Sequence, residues 1–159
     1  MPISDYLRRL RERVGHDLVL LPAVAVLIWD EGRVLLMREA RTGRWQTIGG
    51  GVDPDESPWD AALREAREES GLTVRVERIR AALGGPGYQV HYPNGDLCSY
   101  VSIVFDAVVE PGAGPDRPVE RPVDSDEVAE LAWFRPDEIA ALDLDPLNRH
   151  LLRDAGVIT

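Results

Sequence analysis

A chain of 159 residues, 44% hydrophobic and 29% charged, is long enough for one domain with a sizeable core, and its composition excludes collagen, coiled coil and global disorder. The formal charge is −10, so the average field repels long polyanions such as duplex DNA; a small phosphorylated ligand stays open, because a bound divalent cation can reverse the local sign. All 18 basic residues are arginine, which removes lysine chemistry, and the single Cys98 cannot form an internal disulfide.

Ile3, Tyr6, Leu7, Leu10 and Val14 recur at helical spacing and predict an amphipathic helix over 3–14, within an N-terminal segment 1–18. That helix is expected to lean on the body or on a second subunit, which makes a homodimer a candidate assembly. Leu20 to Trp29 reads as a buried strand, Asp30-Glu31-Gly32 as a turn, and Val34–Met37 as the return strand. Residues 39–51 read as loop, ending in Gly49-Gly50-Gly51. A helix is predicted over Pro58–Ser70 and a strand over Thr73–Leu83. Tyr88–Tyr92 and Leu97–Val109 form a hairpin around Pro93-Asn94-Gly95-Asp96. Glu110–Asp124, with four prolines and two glycines, is expected to be an exposed loop. A short strand at Ala129–Phe134 and helices over Pro136–Leu142 and Pro146–Ala155 complete the chain. No repeat or domain boundary interrupts residues 1–159, so the expected class is a single α/β or α+β sandwich. No run approaches the roughly 18 apolar residues of a membrane span. The charged first fifteen residues do not resemble a signal peptide, so a cytoplasmic location without membrane association is expected.

The Pro58–Ser70 helix concentrates the chemistry. Ser57 is its N-cap, Pro58 occupies the first helical position, Asp60 completes a capping-box pattern and Gly71 ends it. On the helical wheel Trp59, Ala62, Leu63 and Ala66 fall on one side, while Glu65, Glu68 and Glu69 fall together on the other. Three carboxylates at this spacing repel one another by a few tenths of a kcal/mol per pair on an open helix. They read either as a solvated acidic face or as hard-oxygen ligands for a divalent cation.

The longer pattern separates these readings. Gly50, Glu56, Arg64, Glu65, Ala66, Glu68, Glu69, Gly71 and Leu72 fit G-x5-E-x7-R-E-U-x-E-E-x-G-U, where U is aliphatic. Seven fixed positions match by chance about once in 10⁸ windows at ordinary residue frequencies. This stretch, residues 50–72, resembles the box of the Nudix (MutT-like) hydrolases, and the likeness extends through the Trp45 loop and the Trp133-Phe134 strand. It departs from the common pattern at Thr47 and Ile48, at Asp55 and at the small Ala66.

The resemblance implies an α/β/α sandwich with a mixed sheet and hydrolysis of a diphosphate bond in a small nucleotide derivative. It implies Mg²⁺, with Mn²⁺ as a substitute, on Glu65, Glu68, Glu69 and the Gly50 carbonyl. Arg64 would brace the carboxylates and Glu56 would pair with it; Glu127, beside Asp124 and Asp126, is the candidate general base. Trp45, Tyr88, Tyr92 and Tyr100 are candidates for stacking a base or for the core. Pro86, fourteen residues after Leu72, nearly matches a proline of ADP-ribose-cleaving members and equally suits a turn. His16, His91 and His150 are scattered and suggest no zinc site; Cys98 reads as a strand residue. The competing function is a catalytically silent nucleotide-binding module on the same fold. No basic stripe or RNA-binding motif suggests a polymeric nucleic-acid partner.

Overall fold

The computed structural model describes residues 4–111 and 126–159. Ile3, Asp124 and most of the expected 110–124 loop lie outside the described residues. The elements are α1 (Asp5–Val14), β1 (Val19–Asp30), β2 (Arg33–Glu39), β3 (Trp45–Gly51), α2 (Pro58–Ser70), β4 (Val74–Leu83), β5 (Gln89–His91), β6 (Leu97–Val109), β7 (Val128–Phe134), α3 (Pro136–Ile139) and α4 (Pro146–Asp154).

The strands form a mixed sheet in the order β4-β6-β1-β3-β2-β7, with β5 added on β6. Its centre is a long parallel pairing of β1 with β6, from Val19 opposite Cys98 to Trp29 opposite Val108. The other pairings are antiparallel. Alternation along the buried strands divides the core between two faces. Val24, Val26, Ile28, Ile48, Phe105 and Ala107 meet the alanines of α2. Ala25, Leu27, Leu36 and Val104 meet Ile139 of α3 and Leu151 and Leu152 of α4. Helices on both faces of a mixed sheet give the α/β/α sandwich that the sequence predicts.

Three expectations are corrected. Residues 45–51 are not loop but β3, whose glycines carry little strand propensity and are held by partners on two sides. Trp45, Gln46 and Thr47 pair with β2, whereas Ile48 to Gly51 pair with β1. The strand therefore turns a corner between Thr47 and Ile48. The second correction shortens α3, which closes at Ile139; the N-terminal helix ends at Val14 as its spacing predicts, stopped by Gly15 with its φ of 62° and N–H bond to the Arg11 carbonyl. The third concerns α2, whose buried residues are Ala61, Ala62, Glu65, Ala66, Glu69 and Ser70, while Trp59 and Leu63 are each 41% exposed. Alanines bring the helix close to the sheet, and Trp59 stays at the rim, edge-on to Phe105.

No residue of α1 is buried outright, yet the helix is fastened to the body. The Arg11 guanidinium donates to the carbonyls of Gly15, Asp17 and Leu97 and to Cys98 Sγ. Its side chain is only 9% exposed. Cys98 is buried in β6, as a strand residue should be. Among the described residues no helix is long and apolar enough to cross a membrane.

The turn between β2 and β3 is organised by one carboxylate. Glu39 accepts from the backbone N–H groups of Arg41 and Thr42 and from the Arg41 side chain. Burial opposes its ionisation, but these bonds outweigh burial and bring its pKa from 4.5 down to about 2. A depressed acid contributes stability that is complete above the unfolded-state value and is lost as pH falls through the folded one. Glu39→Gln should therefore unfold at lower urea than wild type near neutral pH. The gap between their urea midpoints should close as pH falls from 4.5 to about 2; an unchanged gap would contradict this account.

Candidate active site

The capping box at the start of α2 is formed: Ser57 Oγ accepts from the Asp60 N–H, and the Asp60 carboxylate accepts from the Ser57 N–H. Gly71 closes the helix at φ 71°, in the left-handed region. With both ends fixed and an alanine stripe against the sheet, α2 sets Glu65 and Glu69 inward, towards the glycine end of β3. The acidic face expected to look away from the sheet is thus split. Glu65 is fully buried and Glu69 nearly so, while the Glu68 side chain is half exposed.

Arg64 joins most of the box. Its Nε and Nη2 donate to the two oxygens of Glu56 at 3.0 and 2.6 Å, a bidentate pair. Nη1 donates to Glu65 Oε1 at 2.7 Å and to Glu68 Oε2 at 3.2 Å. Nη2 also reaches the Gly51 carbonyl at 3.1 Å, tying the guanidinium to β3. Glu56 in turn accepts from the Asp53 N–H and holds the loop between β3 and α2. Its hydrogen bonds from Arg64 outweigh burial and keep the Glu56 carboxyl below its usual range.

Glu69 is held differently. Its Oε2 accepts from the Gly49 N–H at 2.9 Å. Burial pushes its pKa well above the ordinary value; the Gly49 N–H opposes that rise, and the charges of Glu65 and Glu127 add to it. Glu127 lies in the turn before β7, where its backbone carbonyl accepts from the Ala40 N–H. Burial likewise raises Glu65 to about 7, against the pull of Arg64. Glu65 Oε2 is buried and has no hydrogen-bond partner, an expensive state for a carboxylate oxygen.

Gly50 sits in the middle of this strand end, opposite Val24 of β1. Gly49 and Gly51, each bonded to a box side chain, were not singled out from sequence beyond the glycine run itself. Among the described residues no three carboxylates already converge in metal-ligand geometry; Arg64 stands between Glu65 and Glu68, and Glu69 faces Gly49.

The aromatic candidates lie elsewhere. Trp45 packs edge-on to Phe134. Tyr88, in a single 3₁₀ turn opened by Pro86, is buried and donates to Asp154. Tyr92 and Tyr100 share a hydroxyl–hydroxyl bond of 2.6 Å. Trp45, Tyr88 and Tyr100 belong to the α3/α4 side of the sheet, opposite α2. His16 pairs with Asp96 and His150 with Asp154, so the histidines do not meet.

An acidic helix is thus clamped by one arginine onto the glycine end of β3, and comparison with known proteins identifies the family. The NUDIX domain model matches residues 19–155. The nucleoside triphosphatase NudI of Salmonella arizonae is 32% identical over 143 residues, covering 85% of this chain and 96% of its own. A MutT-like protein of Streptomyces ambofaciens is 27% identical over 135 residues, covering 85% and 76%. The crystal structure of a MutT Nudix hydrolase from Burkholderia pseudomallei superposes with a TM-score of 0.64 at 26% identity, covering 85% of this chain and 97% of that one. The chain belongs to the Nudix hydrolase family, and it is an enzyme, a pyrophosphohydrolase of that family.

Gly49 is the backbone position on which the arrangement is least forgiving. Its φ is 152°, and a Cβ there would collide with the Val24 carbonyl oxygen. Gly49→Ala should lower stability by about 2 kcal/mol or more, through overpacking and strain together. Gly51→Ala, where nothing lies within 4 Å of the added carbon, should stay close to wild type. Urea denaturation of both variants checks this; equal losses would refute it.

Proposed function

We propose that the protein is a Mg²⁺-dependent hydrolase that cleaves a diphosphate bond in a small nucleoside di- or triphosphate derivative, by attack of water at phosphorus. The observation that carries this reading is the buried, unpartnered Glu65 Oε2 beside Glu69, on a helix clamped to β3. Two buried acids with raised pKa values are costly to hold unless something compensates the charge. A hard divalent cation takes carboxylate and carbonyl oxygens, so the donor set suits Mg²⁺ or Mn²⁺. Glu65, Glu68, Glu69 and the Gly50 carbonyl are the residues that would hold it. When bound, the metal would neutralise charge on the bridging phosphate oxygens and position the diphosphate.

The chain's own groups have separate tasks. Arg64, fixed by the low-pKa carboxylate of Glu56, would keep Glu65 and Glu68 oriented without taking part in proton transfer. The Gly49 N–H would hold one oxygen of Glu69, leaving the other free. Glu127, in the turn before β7, is the candidate to accept the proton of the attacking water. Glycines 49–51 keep side chains out of the way, so that phosphate can approach the backbone. The nucleoside triphosphatase among the relatives makes nucleoside triphosphates the first substrates to test. The acidic average charge supports small substrates over polymeric nucleic acid.

Glu69→Gln preserves shape and removes a charged oxygen ligand. Turnover of a nucleoside triphosphate with Mg²⁺ should fall by about two orders of magnitude or more, with Glu65→Gln and Glu68→Gln following. Metal-free melting temperature should hold or rise, because a buried charge has gone. Glu12→Gln, on the exposed side of α1, should change neither. Near wild-type hydrolysis in the three box variants, with the same Mg²⁺ dependence, would refute the proposal.

A further inference from the structure

At the corner of β3 the strand exchanges β2 for β1 as its partner, and there a side chain from the far end of the chain enters. Asn148, on the first turn of α4, offers its Oδ1 to Thr47 twice: the Thr47 backbone N–H donates at 2.9 Å and Thr47 Oγ1 at 2.7 Å. The amide is itself fixed, because Asn148 Nδ2 donates to Asp145 Oδ1 at 3.1 Å, and that same oxygen caps α4 by accepting the Asn148 N–H. The connection ahead of α4 continues the seam. The Trp45 N–H donates to the Asp143 carbonyl, and the Asp145 N–H donates to the Trp45 carbonyl. From Trp45 to Thr47, residues 143–148 therefore serve as the partner that β1 supplies further along. Thr47 is almost wholly buried, so its N–H has no recourse to bulk water if Asn148 is removed. Two residues on, the Gly49 N–H is aimed at Glu69.

We infer that Asn148 is a positioning residue: by closing the backbone donor of Thr47 at the corner of β3, it fixes the direction of the Gly49 N–H and through it the carboxylate of Glu69. A single residue, Ile48, separates the latch from the amide it controls. Gly49, with no side chain of its own to lock its backbone, depends on its neighbours for direction. Asn148 has no hydrogen bond to Glu56, Glu65, Glu68 or Glu69, so its effect reaches them only through β3. The consequence for catalysis rests on the reading of Glu69 as a metal ligand; the consequence for the Gly49 amide does not.

The test compares wild type, Asn148→Ala, Thr47→Val and the exchange double variant Asp145→Asn/Asn148→Asp. The double variant keeps an acceptor facing Thr47 and a donor–acceptor pair on α4. Three quantities are read: amide hydrogen exchange at Gly49, Mn²⁺ affinity by calorimetry without substrate, and kcat and KM for a nucleoside triphosphate with Mg²⁺. Asn148→Ala should speed Gly49 exchange about tenfold, weaken Mn²⁺ several-fold and lower kcat with KM little changed. Thr47→Val removes only the hydroxyl bond and should show the same changes on a smaller scale, which keeps the test open if Asn148→Ala folds poorly. The double variant should recover most of the loss. Gly49 exchange and Mn²⁺ affinity at wild-type values in Asn148→Ala and Thr47→Val, with only the melting temperature lowered, would reduce Asn148 to a stabilising contact and overturn the inference. If wild type takes up no Mn²⁺, the metal reading fails, and Gly49 exchange still decides whether the latch exists.

Discussion

The structure turns on the burial of two carboxylates. Glu65 and Glu69 project from α2 into the seam between helix and sheet, where ionised groups are disfavoured by several kcal/mol each unless they are compensated. Much around them reads as compensation. Arg64 spreads one positive charge over Glu56, Glu65 and Glu68. Gly49 gives Glu69 a backbone donor, and the Gly51 carbonyl anchors the same arginine from the strand side. One oxygen of Glu65 is left without a partner. That residual imbalance separates this acidic helix from a solvated one, since a surface helix would relieve it by turning its acids to water.

Holding that imbalance in place calls for rigidity on every side, and the fold supplies it from distant parts of the chain. The capping box and Gly71 fix both ends of α2, and its alanines set the distance to the sheet. The strand opposite is gripped by β2, by β1 and, at its corner, by residues that precede and begin α4. Loops alone could not keep an arginine within hydrogen-bonding distance of three acids and a carbonyl at once. The helices on the other face, which touch none of the acids, matter to the site because they brace the strand from which Gly49 and Gly51 reach it.

How far this was legible in the sequence depended on how local each determinant is. The helix Pro58–Ser70 was readable because its caps, its proline and its stop glycine all lie within fifteen residues of one another. The box pattern named the acids and Arg64 for the same reason. The strand Trp45–Gly51 was hidden, because a run ending in three glycines lacks strand propensity and owes its form to pairing with distant neighbours. Helical periodicity also assigned the wrong burial to α2: polar residues are expected outward, whereas Glu65 goes inward and Trp59 stays at the rim. Asn148 gave no signal, being separated from Thr47 by 101 residues and by every strand from β4 to β7.

The parallel pairing at the centre of the sheet also has a bearing on how the chain comes together. β1 is one of the most apolar segments, and its partner β6 follows it by about eighty residues. Until then only local partners are within reach: the turn to β2, the corner of β3 and the capped helix α2. On a ribosome the two ends of this pairing are separated by several seconds of elongation, during which the alternating apolar faces of β1 have half a core to lie against. The order of the elements places the self-capped helix and its glycine strand in that interval, so the segment that carries the acids is also the one able to shelter the central strand before the sheet can close.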